Sequence, residues 1–329
     1  MTPEAFRLFR TLACGRPLSA MDCAKEIGIS RAGVSKHVQQ LRDCGLPVAS
    51  LSGERYRLGW PIRMLDADEI RRASGADITV DVVGQTASTN SDLAEDFSHR
   101  HLLAAEYQAD GRGRRGRGWI SPPGCGVCCS FGYRFDLGLP RLAALSLVAG
   151  VAAAEVVSGE GVPVTLKWPN DLVIGRAKLG GVLVEIRGPS EGPCEVVAGI
   201  GINSRLPRGN AGSSRFIEPD QRWTDLHASA PDCLDPGCDQ GIDRSRIIGR
   251  LGGALDMAFA QFKRDGFEPF VPRWRALDAL DGCDVRVSFA DGRIFDGVAA
   301  GVDGRGQLRI AGENGIRVVN AGEVSIRAK

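Results

Sequence analysis

The chain has 329 residues, of which 43% are hydrophobic and 25% charged, and its formal net charge is +1 at pH 7. This length predicts two or three domains, and the charge balance excludes a wholly basic nucleic-acid coat, so any DNA-binding surface must be local. No stretch approaches the roughly 18 consecutive apolar residues of a membrane span, and the N-terminus has no signal-peptide core. We expect a cytoplasmic protein without a membrane partner.

Ten cysteines raise the question of disulfides or zinc. The tightest group is Cys125, Cys128 and Cys129, and Cys233 and Cys238 also lie near one another. Neither group has the paired spacing of a zinc ribbon, and the chain has only four histidines. We therefore predict reduced core thiols and no metal site built from protein ligands alone.

The first sixty residues have the pattern of a helix-turn-helix. Ser30 fits an N-cap, Val34, Val38 and Leu41 then form one apolar helical face, and Gly45 lies where the helix stops. The opposite face carries four residues suited to phosphates or base edges: Arg31, Ser35, Lys36 and Gln39. The pattern predicts a helix that is free to enter the major groove of DNA.

A hairpin wing is predicted over residues 47–58, where two strand-like runs flank Ser52 and Gly53. Residues 1–63 hold ten Lys and Arg against five Asp and Glu, so positive charge is concentrated there. We predict a winged helix-turn-helix DNA-binding domain over 1–63. The alternative is a small helical domain that only packs against its neighbour or mediates dimerisation.

A larger α/β region follows a predicted linker, residues 64–77, which has a short helical pattern over 66–73. An Ala-, Leu- and Val-rich helix is predicted over 141–157. Six apolar runs predict the strands of a mixed sheet: 79–83, 102–106, 127–135, 164–167, 181–186 and 196–200.

The stretch 106–119 contains four arginines alternating with glycines: Arg112, Arg114, Arg115 and Arg117 with Gly111, Gly113, Gly116 and Gly118. Glycines let backbone amides approach a ligand closely, and arginine side chains match phosphate or carboxylate groups. The alternative is a disordered nucleic-acid arm. Because the run lies inside a predicted folded domain, the pattern favours a loop that closes over a small anion.

A second cluster, residues 167–185, brings Lys167, Lys178 and Asp171 to one predicted hairpin, with glycines that let a ligand lie against the backbone. The next strand ends in Asn203, whose amide is suited to a base edge. The paired glycines of that strand are explained equally well by close packing.

Five motifs in this order resemble those of the bifunctional biotin protein ligases, the biotin operon repressors, over nearly the whole chain. They are Ser88-Thr89-Asn90, Glu106-Tyr107-Gln108 leading into the glycine–arginine run to Gly116, Lys167-Trp168-Pro169-Asn170-Asp171, Lys178-Leu179-Gly180-Gly181, and Gly199-Ile200-Gly201-Ile202-Asn203. The resemblance implies an α/β (α+β) catalytic domain over 78–280 with a fold shared with lipoate ligases. It also implies an enzyme that makes biotinyl-5′-AMP from biotin and MgATP, then passes biotin to a lysine of biotin carboxyl carrier protein, the acetyl-CoA carboxylase subunit.

The resemblance further implies roles for individual residues. Biotin would be held by Ser88, Thr89, Asn90, Gln108, the backbone at Arg112 and Gly181, and the apolar side chain of Leu183. The ATP and adenylate contacts would be Arg114, Arg117, Trp119, Lys167, Asn170 and Asn203. The arginine loop would order over the adenylate, with Trp119 covering the nucleotide and Asn203 meeting adenine.

The chemistry of adenylation agrees with these residue types. A carboxylate that attacks the α-phosphate brings two anions together, so cations must neutralise the developing charge. Lys178 is the first candidate to contact both groups, Lys167 is the second, and Arg114 would join from the loop. Asp171 would orient or deprotonate the acceptor lysine, which must be neutral to attack.

Two features depart from the family pattern. Asp110 stands where the family usually has a small neutral residue, and an acid there would weaken anion binding or pair with a loop arginine. Residues 205–243 are longer than expected and are predicted to form a surface loop with no assigned function.

The last fifty residues alternate short strands with turns, with strands predicted over 285–289, 294–300, 308–311 and 316–319. This pattern predicts an SH3-like β-barrel over 281–329. In the family the barrel contributes to ATP and carrier-protein contacts, and the alternative is a cap that only adds stability.

The combined prediction is a three-domain ligase with a DNA-binding head. In the family, biotinyl-AMP favours a homodimer that binds a two-fold operator of the biotin synthesis genes, so this chain is expected to dimerise and repress when adenylate-bound. Two alternatives stay open: a lipoate-type ligase, which the arginine loop disfavours, and a ligand-sensing repressor without catalysis, which Lys178 and Asp171 disfavour.

Overall fold

The computed structural model describes residues 1–207, 222–229, 242–289, 292–312, 315–320 and 324–328. The N-terminal part contains helices α1 (Pro3–Leu12), α2 (Ala20–Ile27) and α3 (Arg31–Asp43) and strands β1 (Leu18–Ser19), β2 (Val48–Leu51) and β3 (Arg55–Leu58). The strands form a sheet in the order β1-β3-β2. Ser30 caps α3 as predicted, since its Oγ accepts the backbone N–H of Gly33 at 3.1 Å.

A seven-stranded mixed sheet forms the centre of the molecule. Its strands are β4 (Thr79–Thr86), β5 (His101–Gln108), β8 (Gly126–Phe135), β9 (Thr165–Lys167), β10 (Asp171–Ile174), β11 (Ala177–Arg187) and β12 (Cys194–Asn203). The order is β4-β5-β8-β12-β11-β10-β9, and only β4 and β5 among these pairs run parallel. The six predicted strands are all present. Five are longer than predicted, β9 begins one residue later than predicted, and β10 is an addition.

Helices cover the sheet: α4 (Ala67–Ser74), α5 (Thr89–Glu95), α6 (Leu145–Ser158), α7 (Leu226–Ser229), α8 (Arg244–Asp265) and α9 (Val271–Leu277). The helix predicted over 141–157 instead begins at Leu145, because a separate 3-10 turn occupies Leu139–Leu142. The combined segment Leu139–Ser158 has the length and composition of a membrane-crossing helix, but most of its apolar window is buried inside the protein. It is the core helix of this fold.

The 22-residue helix α8 was not predicted from the sequence. Its glycines weaken the helical pattern of the sequence, and close packing against α4 explains why glycine occupies these positions. A Cβ atom at Gly249 would overlap the carbonyl oxygen of Ile70, and one at Gly253 would overlap that of Ser74. Helix α4 therefore lies directly against the backbone of α8, which only glycine permits there.

The C-terminal part is a small antiparallel β domain of five strands: β13 (Asp284–Phe289), β14 (Ile294–Val302), β15 (Leu308–Gly312), β16 (Gly315–Val319) and β17 (Val324–Ala328). Their order is β16-β15-β14-β13-β17, and the last strand was not predicted. The domain is joined to the central sheet where the indole N–H of Trp168 donates to the carbonyl of Gly306 at 3.1 Å.

The eight cysteines within the described ranges are all free thiols, whereas Cys233 and Cys238 lie outside them. In and beside β8, burial raises the pKa of Cys125 to about 12 and that of Cys128 to about 11. Burial likewise raises the pKa of Cys129. Since the thiolate is the reactive form, these three thiols are protonated and inert at neutral pH.

We therefore expect iodoacetamide at pH 8 to alkylate the exposed Cys14 at least about 100-fold faster than Cys125, Cys128 or Cys129 in the folded protein. Peptide mapping by mass spectrometry measures each rate, and labelling in denaturant supplies the unprotected rates. Labelling of Cys128 at the rate of Cys14 would contradict the buried, protonated state.

Candidate ligand site at the centre of the sheet

One end of the site is a chain of hydrogen bonds that begins at the start of α5. Ser88 caps this helix, and its Oγ accepts from the backbone N–H of Ser91. The backbone N–H of Thr89 donates to Gln108 Oε1 at 2.9 Å. Ser88 and Thr89 are each only 3% exposed, so their hydroxyl groups face an enclosed space.

The hydrogen bonds around Thr89 determine how the Gln108 amide is oriented. Ser130 Oγ donates its single proton to Asn90 Oδ1 at 2.5 Å. Ser130 Oγ also lies 2.7 Å from Thr89 Oγ1, and in this second bond the Thr89 hydroxyl is therefore the donor. Thr89 Oγ1 also lies 3.1 Å from Gln108 Oε1, the oxygen to which the backbone N–H of Thr89 donates. The Gln108 NH₂ group points away from this contact, and the Gln108 side chain also hydrogen-bonds the Cys128 thiol.

The chain of contacts continues to an ion pair. Asn90 Nδ2 donates to the carbonyl of Leu183 at 3.2 Å and to Glu185 Oε2 at 2.8 Å. Arg112 Nη2 donates to the same Glu185 oxygen at 3.0 Å. Glu185 and Ser130 were not predicted as site residues; Glu185 lies on β11, which carries the predicted residue Leu183, whereas Ser130 lies on β8, which carries none. They hold the predicted residues Asn90 and Arg112 in place.

The other end of the site is cationic. Lys178 Nζ lies 2.7 Å from Asp171 Oδ1, and these side chains are 14% and 20% exposed. Across the β10–β11 pairing Asp171 stands opposite Gly181. A Cβ atom at Gly181 would be 3.6 Å from Asp171 Oδ1 and from Lys178 Cε, so the bare backbone of Gly181 borders the ion pair.

Trp223, which lies within the predicted loop 205–243 and had no predicted role, covers Lys178. The Lys178 ammonium lies 5.5 Å from the centre of the Trp223 ring, and that ring meets Trp119 edge to face at 5.7 Å. Backbone bonds fix this segment, since Lys178 N–H donates to Arg222 O and Thr224 N–H donates to Lys178 O. A tryptophan in an otherwise polar insertion was the available signal.

The arginine loop is a hairpin. Strand β6 (Gly111–Arg112) pairs with β7 (Gly118–Trp119), and a 3-10 turn spans Arg114–Gly116. Arg114 Nη1 reaches Asn170 Oδ1 at 3.4 Å, and burial lowers the pKa of Arg114, with Arg115 adding to the effect. Arg117 is exposed.

Asn170 joins the loop to the sheet, because its Nδ2 also donates to the carbonyl of Val182 at 2.7 Å. Asp110 has an exposed side chain, and its backbone N–H donates to the Ala87 carbonyl at 2.9 Å. That backbone bond holds the root of the loop against the turn before Ser88.

Close packing explains the glycines of β12. A Cβ atom at Gly199 would overlap Asn90 Oδ1, and one at Gly201 would lie 2.6 Å from the Trp119 ring. Asn203 is 1% exposed and its Nδ2 donates to the Thr224 carbonyl at 3.0 Å. Lys167 is half-buried and stands opposite Asp171 across the β9–β10 pairing.

Substitution of Gly201 by alanine should displace the Trp119 ring, because a Cβ atom has no room there. If Trp119 covers the nucleotide, as the resemblance implies, the KM for ATP should rise about tenfold, which corresponds to about 1.4 kcal/mol, while biotin binding is unchanged. Steady-state kinetics with ATP varied and calorimetry with biotin measure the two effects. The matched control is Gly150→Ala, where the added atom meets only ordinary contacts at 3.6 Å. Equal effects on ATP and biotin would contradict this account.

The four predicted DNA-contact residues are all exposed on α3. Arg31 pairs with Glu54 of the β2–β3 turn, and Ser35 Oγ is 2.9 Å from the Tyr56 hydroxyl. Gln39 Nε2 donates to Asp43 Oδ1 at 3.0 Å. Strand β3 thus lies beside the outer face of α3.

Comparison with known proteins decides the family. Residues 82–203 match the model of the biotin/lipoate A/B protein ligase family, and residues 282–327 match that of the biotin protein ligase C-terminal domain. The bifunctional ligase/repressor BirA of Salmonella typhimurium is 34% identical over 99% of this chain and 98% of its own. The chain belongs to the biotin protein ligase family. Like these ligase/repressors, it combines a biotin ligase with a repressor.

Other members of the family agree. The bifunctional ligase/repressor BirA of Bacillus subtilis is 28% identical, with 94% of each chain covered. The biotin protein ligase of Aquifex aeolicus, solved in complex with biotin and ATP, superposes with a TM-score of 0.62 at 25% identity. That similarity covers 76% of this chain and 99% of the other. The central sheet therefore has the biotin ligase fold, and the resemblance inferred from the five motifs is confirmed.

Proposed function

We propose that this protein joins biotin to ATP as biotinyl-5′-AMP and then transfers the biotinyl group to a lysine of biotin carboxyl carrier protein. The observation that carries the proposal is the arrangement of the site along β11. A polar end, where Asn90 contacts Leu183, and a cationic end, where Asp171 contacts Lys178, adjoin the same strand β11 and are separated by about 17 Å at the usual rise per residue.

The polar end is proposed to hold the biotin ring. The Gln108 NH₂ group, the hydroxyl groups of Ser88 and Thr89 and the backbone at Arg112 offer donors and acceptors to the ureido group. Leu183 lines the apolar side, and Asn90, held by Ser130 and Glu185, supports this wall. Most donors are fixed before the ligand arrives, which lowers the entropy lost on binding.

The cationic end is proposed to bring the two anions together. The biotin carboxylate attacks the α-phosphorus of ATP, a P–O bond forms, and the bond to pyrophosphate breaks. Lys178 would contact the carboxylate and the α-phosphate, with Arg114 and Lys167 as further cations and Asn170 orienting Arg114.

The adenylate is proposed to lie beneath the arginine loop. Trp119 would cover the nucleotide, Arg117 would close over it, and Asn203 would meet adenine by exchanging its present bond to the Thr224 carbonyl. Trp119 is supported from behind by Trp223 and the bare backbone of Gly201.

Magnesium is proposed to enter bound to the phosphates of ATP. Within the described ranges no group of three or more His, Cys, Asp or Glu side chains is placed to hold a metal ion. Asp171, the carboxylate nearest the cationic end, is paired with Lys178. Magnesium neutralises phosphate charge and keeps several waters, which suits a site with few protein ligands.

The N-terminal residues 1–63 are proposed to be a winged helix-turn-helix that binds the operator of the biotin synthesis genes through Arg31, Ser35, Lys36 and Gln39. The exposed face of α3 and the adjacent β2–β3 hairpin support this reading. The proposal also includes a linker (64–77), a catalytic domain (78–280) and an SH3-like domain (281–329). It further includes an adenylate-dependent homodimer and a cytoplasmic location.

Incorporation of labelled biotin into a purified carrier domain with MgATP tests the ligase. Transfer that excess unlabelled biotin suppresses, and lipoate does not, is the expected result. Suppression by lipoate would instead identify a lipoate-type ligase. Biotin binding without pyrophosphate release would identify a ligand-sensing repressor.

A further inference from the structure

A buried ion pair lies outside the ligand site. Arg244, the first residue of α8, lies 2.8 Å from Glu106, and the two side chains are 4% and 3% exposed. Removal of two charges from water is costly, and such pairs can often be replaced by apolar residues without loss of stability. Stability alone therefore does not explain why this pair is present.

The pair contacts two separate backbone segments. Glu106 Oε1 accepts the backbone N–H of Leu65, and Arg244 Nη2 donates to the carbonyl of Arg63 at 2.6 Å. Arg244 Nη1 is also 3.4 Å from the carbonyl of Gly126, at the start of β8. Arg63 and Leu65 belong to the connection, residues 59–66, that joins the N-terminal domain to α4.

The same pair lies beside both ends of the arginine loop. The chain leaves β5 at Gln108, two residues after Glu106, and returns at Gly124, whose N–H donates to the Glu106 carbonyl at 2.9 Å. The loop that is proposed to close over the adenylate and the connection to the DNA-binding domain thus share one anchor.

The N-terminal domain packs at the same place. A Cβ atom at Gly124 would lie 2.6 Å from Ile62 and 2.9 Å from Phe9, so the returning stem touches this domain directly. On the other stem, the Cys44 thiol at the end of α3 contacts the Tyr107 hydroxyl at 3.8 Å.

We propose that Glu106 and Arg244 are positioning residues that couple the arginine loop to the DNA-binding domain. Ordering of the loop over the adenylate fixes its two stems, and through this pair it fixes the connection that carries α3. Binding at either site then favours binding at the other. The inference rests on the proposed function, since it requires that the protein bind biotinyl-AMP.

Hydrogen exchange of the full chain with and without biotinyl-AMP tests the coupling. In the wild type we expect slower exchange in the loop, residues 109–123, and in the connection, residues 59–66. In Glu106→Gln the loop should still respond, while the protection gained by the connection falls at least tenfold. Ser245→Ala, which removes the acceptor of the Asp66 N–H, is the milder second variant should Glu106→Gln not fold.

Glu160→Gln is the matched control, because Glu160 pairs with Arg246 and Arg250 on the same helix but at its exposed face. It should behave as the wild type. A connection that gains full protection in Glu106→Gln, or that never responds in the wild type while the loop does, would overturn the inference alone. No response of either segment in the wild type would overturn the proposed function, and the inference with it.

Discussion

Replacement of Lys178 by alanine is expected to lower the rate of biotinyl-AMP formation by about 10²–10³-fold, the usual effect of removing one preorganised group that stabilises transition-state charge. Lys178 is mostly enclosed, and Asp171, Trp223 and the backbone of residues 222–224 hold it in one position. The positive charge of Lys178 is needed most in the transition state, because the biotin carboxylate and the α-phosphate of ATP are then closest together. Pyrophosphate release in a single turnover measures this step.

Two controls separate charge from structure. Lys178→Arg retains the charge but not the compact ammonium, so it should recover only part of the rate. Lys263→Ala removes a lysine from an exposed pair with Asp136 and should leave adenylation unchanged. If Lys178→Ala raised only the KM for biotin and kept the maximal rate, its role would be uniform binding and not transition-state stabilisation.

The sequence predicted best where a pattern repeats over several residues. Ser30, Val34 and Leu41 place α3 because caps and helical spacing are local properties. The six central strands were found for the same reason, although their predicted ends differ from the observed ones by up to four residues. Strand ends depend on pairing with a neighbour, which no local pattern contains.

Elements that exist only because of a neighbour were missed. Helix α8 carries Gly249 and Gly253 against the backbone of α4, and these residues weaken its helical signal. Strand β10 is four residues long and begins at Asp171, inside the predicted hairpin of residues 167–185. In both cases tertiary packing outweighs local propensity.

The same division holds within the site. Motifs brought Lys178, Asp171 and Gln108 to attention, and the structure places the first two in contact. Glu185 and Trp223 act through partners that are distant in sequence, Arg112 and Trp119, so a motif does not contain them. Residues that bind a ligand leave a local signature, whereas residues that hold them do so only through the fold.

Asp171→Asn is expected to slow transfer of biotin from preformed biotinyl-AMP to the carrier by about 10²-fold or more, in the range of general-base catalysis. The acceptor lysine has an ordinary pKa of about 10.4 and must lose a proton before its nitrogen attacks the acyl carbon and AMP leaves. The asparagine keeps an oxygen that accepts from Lys178, so adenylate formation should fall only a few-fold.

The pH dependence gives the decisive readout. If Asp171 takes the proton from the acceptor lysine, the rate of transfer by the wild type should reach its plateau at a lower pH than the rate of transfer by Asp171→Asn. The rate of Asp171→Asn should rise about tenfold per pH unit up to the pKa of the acceptor lysine. Single-turnover transfer to a carrier domain between pH 6 and 9 measures this, with Asp136→Asn as a control at an exposed pair. An equal loss in both half-reactions, with an unchanged pH profile, would mean that Asp171 serves only to hold Lys178.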